Sequence, residues 1–79
     1  MLPPTVPQRV LVTGATGFIG RALIPALQRE GHTVRATTRQ LHRAPKLPGV
    51  EWVRADLGVA AQVESALRGV DAAYYLVHG

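Results

Sequence analysis

Arg9-Val10-Leu11-Val12-Thr13-Gly14-Ala15-Thr16-Gly17-Phe18-Ile19-Gly20 decides how this 79-residue chain is read. The apolar run predicts a short buried strand over Arg9–Thr13, and three glycines spaced G-x-x-G-x-x-G follow it directly. An amphipathic helical pattern comes next, so the segment predicts a strand aimed into a helix N-terminus. Such a junction cradles a pyrophosphate, because unpaired amides and the positive end of the helix dipole point at the same place. Gly14 suits a sharp turn out of the strand, Gly17 a close approach of backbone to phosphate, and Gly20 close packing of helix on strand. Thr16 stands where an N-cap oxygen would satisfy an orphan donor of that helix. The spacing departs from G-x-G-x-x-G, and a glycine-rich turn alone gives a similar string. The flanking strand and helix therefore carry the dinucleotide reading.

Outward from that segment, strand and helix periods alternate. A helix is predicted over 18–30, with Ile19, Leu23, Ala26 and Leu27 on one face and Gly31 as its stop. Pro25 is the awkward residue, since an interior proline removes one hydrogen bond and clashes with the preceding turn, at a cost of ~3 kcal/mol. It reads as a kink on the solvent side or as a break. A second strand is predicted over 32–38, a loop with at most one helical turn over 39–49, and a third strand over Val50–Arg54. A second helix follows over 59–68, with Val59, Val63, Ala66 and Leu67 on one stripe and Gly69 ending it, then a fourth strand over 71–77. This alternation implies an α/β fold, with parallel strands in the order 3-2-1-4 joined by right-handed crossovers and flanked by helices. Ligands bind such sheets outside the carboxyl ends of the strands, at the switch between strands 1 and 4. That places residues 14–20, Thr38 and Arg39, Asp56 and Leu57, and Leu76, Val77 and His78 along one rim.

The stretch 13–20 resembles the opening of extended and atypical short-chain dehydrogenase/reductases. The closing run Gly69-Val70-Asp71-Ala72-Ala73-Tyr74-Tyr75-Leu76-Val77-His78 resembles an atypical subgroup of NAD(P)-binding, nucleoside-diphosphate-sugar-epimerase-like proteins. The resemblance covers about residues 8–79, only the N-terminal part of what such a family possesses. It implies a partial Rossmann fold over 8–79, behind a flexible Pro-rich tail at 1–7. It also implies cofactor contacts from Gly14, Thr16, Gly17, Phe18, Ile19 and Gly20. Asp56-Leu57 resembles the family's acidic-apolar pair, whose carboxylate meets the adenine amino group while the Leu borders the ring. Read from the residues alone, Asp56 equally suits a cap for the following helix. Leu76, Val77 and His78 match the stretch that lines the cofactor after the fourth strand, although Tyr75 stands where many extended members carry a His.

The end of the second strand reads the choice of cofactor. A carboxylate there would bind the ribose 2′-OH and repel a 2′-phosphate. The chain has Thr37-Thr38-Arg39 instead, with no acid until Glu51. Thr38 can donate to a phosphate oxygen, Arg39 can bind it through its fork or stack on adenine, and Arg43 can assist from the loop. NADP is therefore expected over NAD. The resemblance also implies a proton-donating Tyr in a Y-x-x-x-K pair, whose lysine lowers the tyrosine pKa. Here Tyr74 is followed four residues on by His78, and Tyr75 by Gly79, so no catalytic residue is assigned. The expected identity is the N-terminal piece of a longer reductase or epimerase-like protein. The alternatives are a non-catalytic NADP-binding module acting with a partner chain, or a truncated product.

Composition excludes other classes. The absence of cysteine removes disulfides, Cys-based zinc sites and thiol nucleophiles, and His32, His42 and His78 lack ligand spacing, so no metal is expected. Nine basic residues against five acidic ones give a net charge of +4, with Arg35, Arg39, Arg43 and Lys46 close together. Without interleaved aromatics or a helix-turn-helix pattern, no nucleic-acid partner is expected. Residues 1–7 lack the basic and apolar regions of a signal peptide, and no apolar run reaches the ~20 residues of a membrane span, so a cytoplasmic location is expected. The fourth strand would leave an apolar, uncharged edge at 72–77, which invites self-association or cover by a further part of the protein.

Overall fold

The computed structural model describes residues 6–14 and 17–75. Strands β1 (Arg9–Thr13), β2 (Thr33–Thr38), β3 (Val50–Arg54) and β4 (Ala72–Tyr75) alternate with helices α1 (Phe18–Arg29) and α2 (Ala60–Leu67). A single 3-10 turn, Leu41–Arg43, interrupts the loop between β2 and β3. The strands form one parallel sheet in the order β3-β2-β1-β4, as the alternation predicts. β1 lies inside the sheet and pairs on both sides, with Val10 opposite Val34 in one direction and opposite Ala72 in the other. This is why its Val-Leu-Val run is apolar on both faces.

Alternation along the strands divides the core in two. Val10 and Val12 of β1 join Val34 and Ala36 of β2 under Ile24 and Leu27 of α1, with Leu23, Leu47, Val50 and Trp52 packed against them. On the opposite face Leu11, Ala55 and Ala66 form a smaller cluster, flanked by Leu67 and Val70. Complete burial of a side chain such as Ile24, at 0% exposure, contributes roughly 1.5–3 kcal/mol. The α1 face has several such residues. The α2 face has one large one, Leu11.

The helices bury stripes that only partly match the predicted ones, and Ile24, outside the predicted face, is fully buried. On α1 the buried stripe is Gly20, Ile24 and Leu27, while Ile19 is 65% exposed. Ile19 precedes Gly20 by about 100° of helical rotation, which turns it off the sheet at the open rim. On α2 Val59 is 41% exposed, because it occupies the N-cap position ahead of the helix rather than a place on its stripe. Pro25 neither breaks α1 nor points wholly to solvent. The helix runs unbroken through it, and the ring is half-buried. The helix end follows the expected chemistry. Gly31 has φ of 90°, its N–H donates to Gln28 O, and the His32 N–H donates back to Leu27 O. Those two bonds make a Schellman motif, in which glycine avoids a steric penalty at positive φ.

Two polar ties hold the α2 side. Asp71 Oδ2 accepts from the Arg9 N–H at 2.8 Å, and the Asp71 N–H donates to Arg9 O at 2.8 Å, which clamps the start of β4 to β1. Arg35, on the α2 face of β2, donates from Nε to Glu51 Oε1 at 2.8 Å and from one terminal nitrogen to Ala66 O at 2.8 Å and Arg68 O at 2.7 Å. α2 has no basic residue in its own last turn, so Arg35 supplies that charge from the sheet. Arg35 is thus a structural anchor and does not belong to the exposed basic cluster it neighbours in sequence.

Candidate functional site

All four strands are parallel, so their carboxyl ends share one rim. At the centre of that rim β1 leaves the sheet through Gly14, whose φ of 64° is the left-handed turn that glycine adopts without strain. Thr13, fully buried, donates from Oγ1 to Tyr74 O at 3.4 Å and so holds the adjoining end of β4. Gly17 then occupies the N-cap position of α1, with φ −81° and ψ 179°. Its N–H donates to Gly14 O at 3.3 Å, and its carbonyl accepts the first helical bond from Arg21 N–H at 3.1 Å. The N-cap place expected for Thr16 therefore falls to Gly17, which makes no side-chain cap. Thr16 itself lies outside the described residues. The first turn of α1 carries no acidic side chain, so nothing there competes with an anion for the positive end of the helix. Phe18 and Ile19 open that turn and are 89% and 65% exposed, while Gly20 is buried against the sheet.

One strand over, Thr38 closes β2 beside Arg54, its register partner at the end of β3. Thr38 Oγ1 accepts from the Gln40 N–H at 3.1 Å and lies 3.3 Å from Gln40 O, so the hydroxyl shapes the turn that presents Arg39. Arg39 and Arg43 are exposed, and among the described residues neither side chain has a hydrogen-bond or ion-pair partner. Ala55 N–H donates to Thr38 O at 3.0 Å, which brings the next segment to the same corner. There Asp56 Oδ1 accepts from the Gly58 N–H at 2.9 Å, and the Asp56 N–H donates to Gln62 Oε1 at 2.7 Å. Asp56 therefore organises a turn before α2 and does not cap the helix directly, since the N-cap is Val59. Leu57 is 46% exposed at this corner. Leu76, Val77 and His78 lie outside the described residues.

The structure brings Gly14, Gly17, Phe18, Ile19 and Gly20 together at the β1–α1 junction, and Thr38, Arg39, Asp56 and Leu57 at the adjoining ends of β2 and β3. A shallow cleft of about 490 Å³ between the 41–48 segment and Trp52 shares no lining residue with the glycine turn. The sequence reading passed over Arg54 and grouped Arg35 with the basic cluster, whereas its guanidinium is tied to Glu51, Ala66 and Arg68. Arg54 had a readable signal, as the last residue of a predicted strand two places before Asp56. The role of Arg35 depends on register and on the end of α2, which no local pattern reveals.

The parallel 3-2-1-4 sheet, with a glycine turn feeding α1 at its switch point, defines a dinucleotide-binding domain of the Rossmann type. A family model described as NAD(P)H-binding matches residues 14–79, and the chain belongs to that family. The 2-alkyl-3-oxoalkanoate reductase of Stenotrophomonas maltophilia is 39% identical over 67 residues, which are 85% of this chain and 20% of that enzyme. Vestitone reductase from alfalfa is 31% identical with a TM-score of 0.70, covering 86% of this chain and 24% of that structure. The UDP-N-acetylglucosamine 4-epimerase of Bacillus cereus is 25% identical with a TM-score of 0.76, covering 91% and 24%. The chain thus resembles the NAD(P)-binding portion of these reductases and of the epimerase, and it spans about a fifth of the length of the first of those relatives. No helix among the described residues is long and apolar enough to cross a membrane.

Proposed function

We propose that this chain holds the adenosine and pyrophosphate half of a dinucleotide, with NADP preferred to NAD, within a reductase acting on a carbonyl or alcohol substrate. The observation that carries the cofactor choice is Arg39. It follows β2 directly, its side chain is exposed, and it has no partner among the described residues. No carboxylate stands at the end of β2 to accept a ribose 2′-OH. A guanidinium there favours a 2′-phosphate through paired hydrogen bonds and opposite charge. Gly14, Gly17 and the acid-free first turn of α1 suit the pyrophosphate, and Phe18, Ile19 and Leu57 offer apolar surface beside it. Thr16, Leu76, Val77 and His78 complete the proposed contacts. The reductase assignment is supported by likeness to the two reductases above. Hydride transfer would need the Tyr-x-x-x-Lys pair that these 79 residues do not contain.

The outer edge of β4, with Tyr74 and Tyr75 44% and 54% exposed, is proposed to take a further strand from the same polypeptide or from a second copy. A cytoplasmic location completes the reading. The cofactor choice is tested by titrating NADPH and NADH into the full chain at one ionic strength. Tighter binding of NADPH is expected, with Arg39→Asp reversing the order, and equal affinities in the unmodified chain would refute it.

A further inference from the structure

We propose that Arg54 is a second ligand of the 2′-phosphate, facing Arg39 across the end of the sheet. This rests on the NADP reading above and adds to it a residue on a different strand. The register pairs Arg54 with Thr38, the residue immediately before Arg39, at the carboxyl ends of β3 and β2. Side chains alternate along a strand, so Arg54 shares the face of Trp52, which packs in the α1 core. That is also the face over which α1 presents its N-terminus to a pyrophosphate.

The charge pattern supports the same assignment. Arg54 is exposed, and among the described residues its side chain has no hydrogen-bond or ion-pair partner. The acids that could neutralise it are otherwise engaged or turned away. Glu51 pairs with Arg35, on the opposite face, and Asp56 Oδ1 takes the Gly58 N–H. Two unpaired guanidiniums at one corner repel each other, and a phosphate dianion between them relieves that repulsion while accepting hydrogen bonds from both. A ribose hydroxyl does neither. Arg54 therefore discriminates between the two cofactors and contributes little to binding their common part.

The test uses two fragments that differ only in the phosphate in question, adenosine 2′,5′-bisphosphate and adenosine 5′-monophosphate, titrated calorimetrically into the full chain. The unmodified chain is expected to favour the bisphosphate. Arg54→Gln is expected to cut that preference about tenfold, since hydrogen bonds to charged groups are worth at least that when lost. Affinity for the monophosphate is expected to stay within twofold. Arg29→Gln, in the last turn of α1 away from the rim, removes the same charge and is expected to leave the preference unchanged. Circular dichroism verifies that each variant is folded, and Arg54 is exposed enough for the substitution to be tolerated. If the unmodified chain shows no preference, the NADP reading fails and the role of Arg54 fails with it. If the preference exists but survives Arg54→Gln, only the role of Arg54 is overturned. Equal losses for both fragments would mean that Arg54 contacts the adenosine, and an equal loss from Arg29→Gln would reduce the effect to net charge. Either result overturns the proposal.

Discussion

Arg35→Met tests the claim that α2 is held to the sheet by one guanidinium. The substitution keeps an unbranched apolar stem against the sheet and removes only the charged head. Three hydrogen bonds disappear. The bond to Glu51 links an Arg side chain 17% exposed to a Glu 60% exposed, and screening limits such a pair to about 0.5 kcal/mol. The bonds to Ala66 O and Arg68 O are charge-assisted and meet the negative end of α2, whose last turn has no basic residue. Hydrogen bonds to charged groups contribute ~1.5–3 kcal/mol when sequestered. Here one is part-buried and the other exposed, so water recovers much of that and about 1 kcal/mol remains for each. The expected total is roughly 2.5 kcal/mol, which for a domain of this size lowers Tm by on the order of 10–20 °C. The loss should also be local. Among the described residues the buried apolar partners opposite α2 are Leu11 of β1 and Ala55 just past β3, so amide exchange in α2 should accelerate well before exchange in β1 and β2. Urea unfolding and native-state hydrogen exchange of Arg35→Met and Glu51→Gln measure both quantities. A destabilisation below about 0.5 kcal/mol for Arg35→Met, or uniform acceleration across the chain, would refute the reasoning.

Gly17→Val is expected to fold but to lose dinucleotide binding by at least tenfold. The backbone at φ −81° and ψ 179° is extended and suits valine, whereas the branched Cβ intrudes on the space of the phosphates, so calorimetric titration of NADPH into a variant of unchanged circular dichroism checks it. Gly31→Ala is expected to destabilise by about 1 kcal/mol, read by urea titration, because no heavy atom lies within 4 Å of the added Cβ and only the positive φ opposes it. Asp71→Ala is expected to cost about 1 kcal/mol and to free the β4 amides for exchange ahead of those of β2, since it removes the acceptor for Arg9 N–H.

Much of the fold was legible because local and long-range signals agree. β1 and β3 coincide with the predicted Arg9–Thr13 and Val50–Arg54, and the strand order is the expected 3-2-1-4. Gly31 marked a helix end because positive φ leaves few residue choices. Leu27 and Ala66 are buried as the periodicity predicts, whereas Ile19 and Val59 are not. Ile19 lies one residue off the buried stripe of Gly20, Ile24 and Leu27, and Val59 occupies the N-cap position ahead of α2. Gly14 and Arg39 follow directly on predicted strands and Asp56 comes two residues after one, so the reading that placed the strands also placed these residues at their carboxyl ends. The meaning of the arginines was not readable. Arg35 and Arg39 are four residues apart in sequence, yet one is tied into the α2 face and the other stands free at the rim. Only the register of β2 against β3, and the place where α2 ends, separates the tied guanidinium from the exposed one.

That separation bears on how the site is built. The glycine turn is fixed by the larger core, through β1 and the Ile24–Leu27 stripe of α1. The Asp56–Leu57 corner instead belongs to the smaller core, through Ala55 and the helix that Arg35 secures. A dinucleotide spanning both would join a rigid cradle to a more weakly held corner. A ligand that binds only the folded arrangement stabilises it by mass action, about 2.7 kcal/mol at a hundredfold excess over Kd. The gain would be expressed most where the unliganded domain is held by least, around Asp56 and α2. If the Asp56–Leu57 corner contacts the cofactor, Arg35→Met is expected to weaken binding in calorimetric titration although Arg35 touches only the far end of α2, and unchanged affinity would refute that coupling.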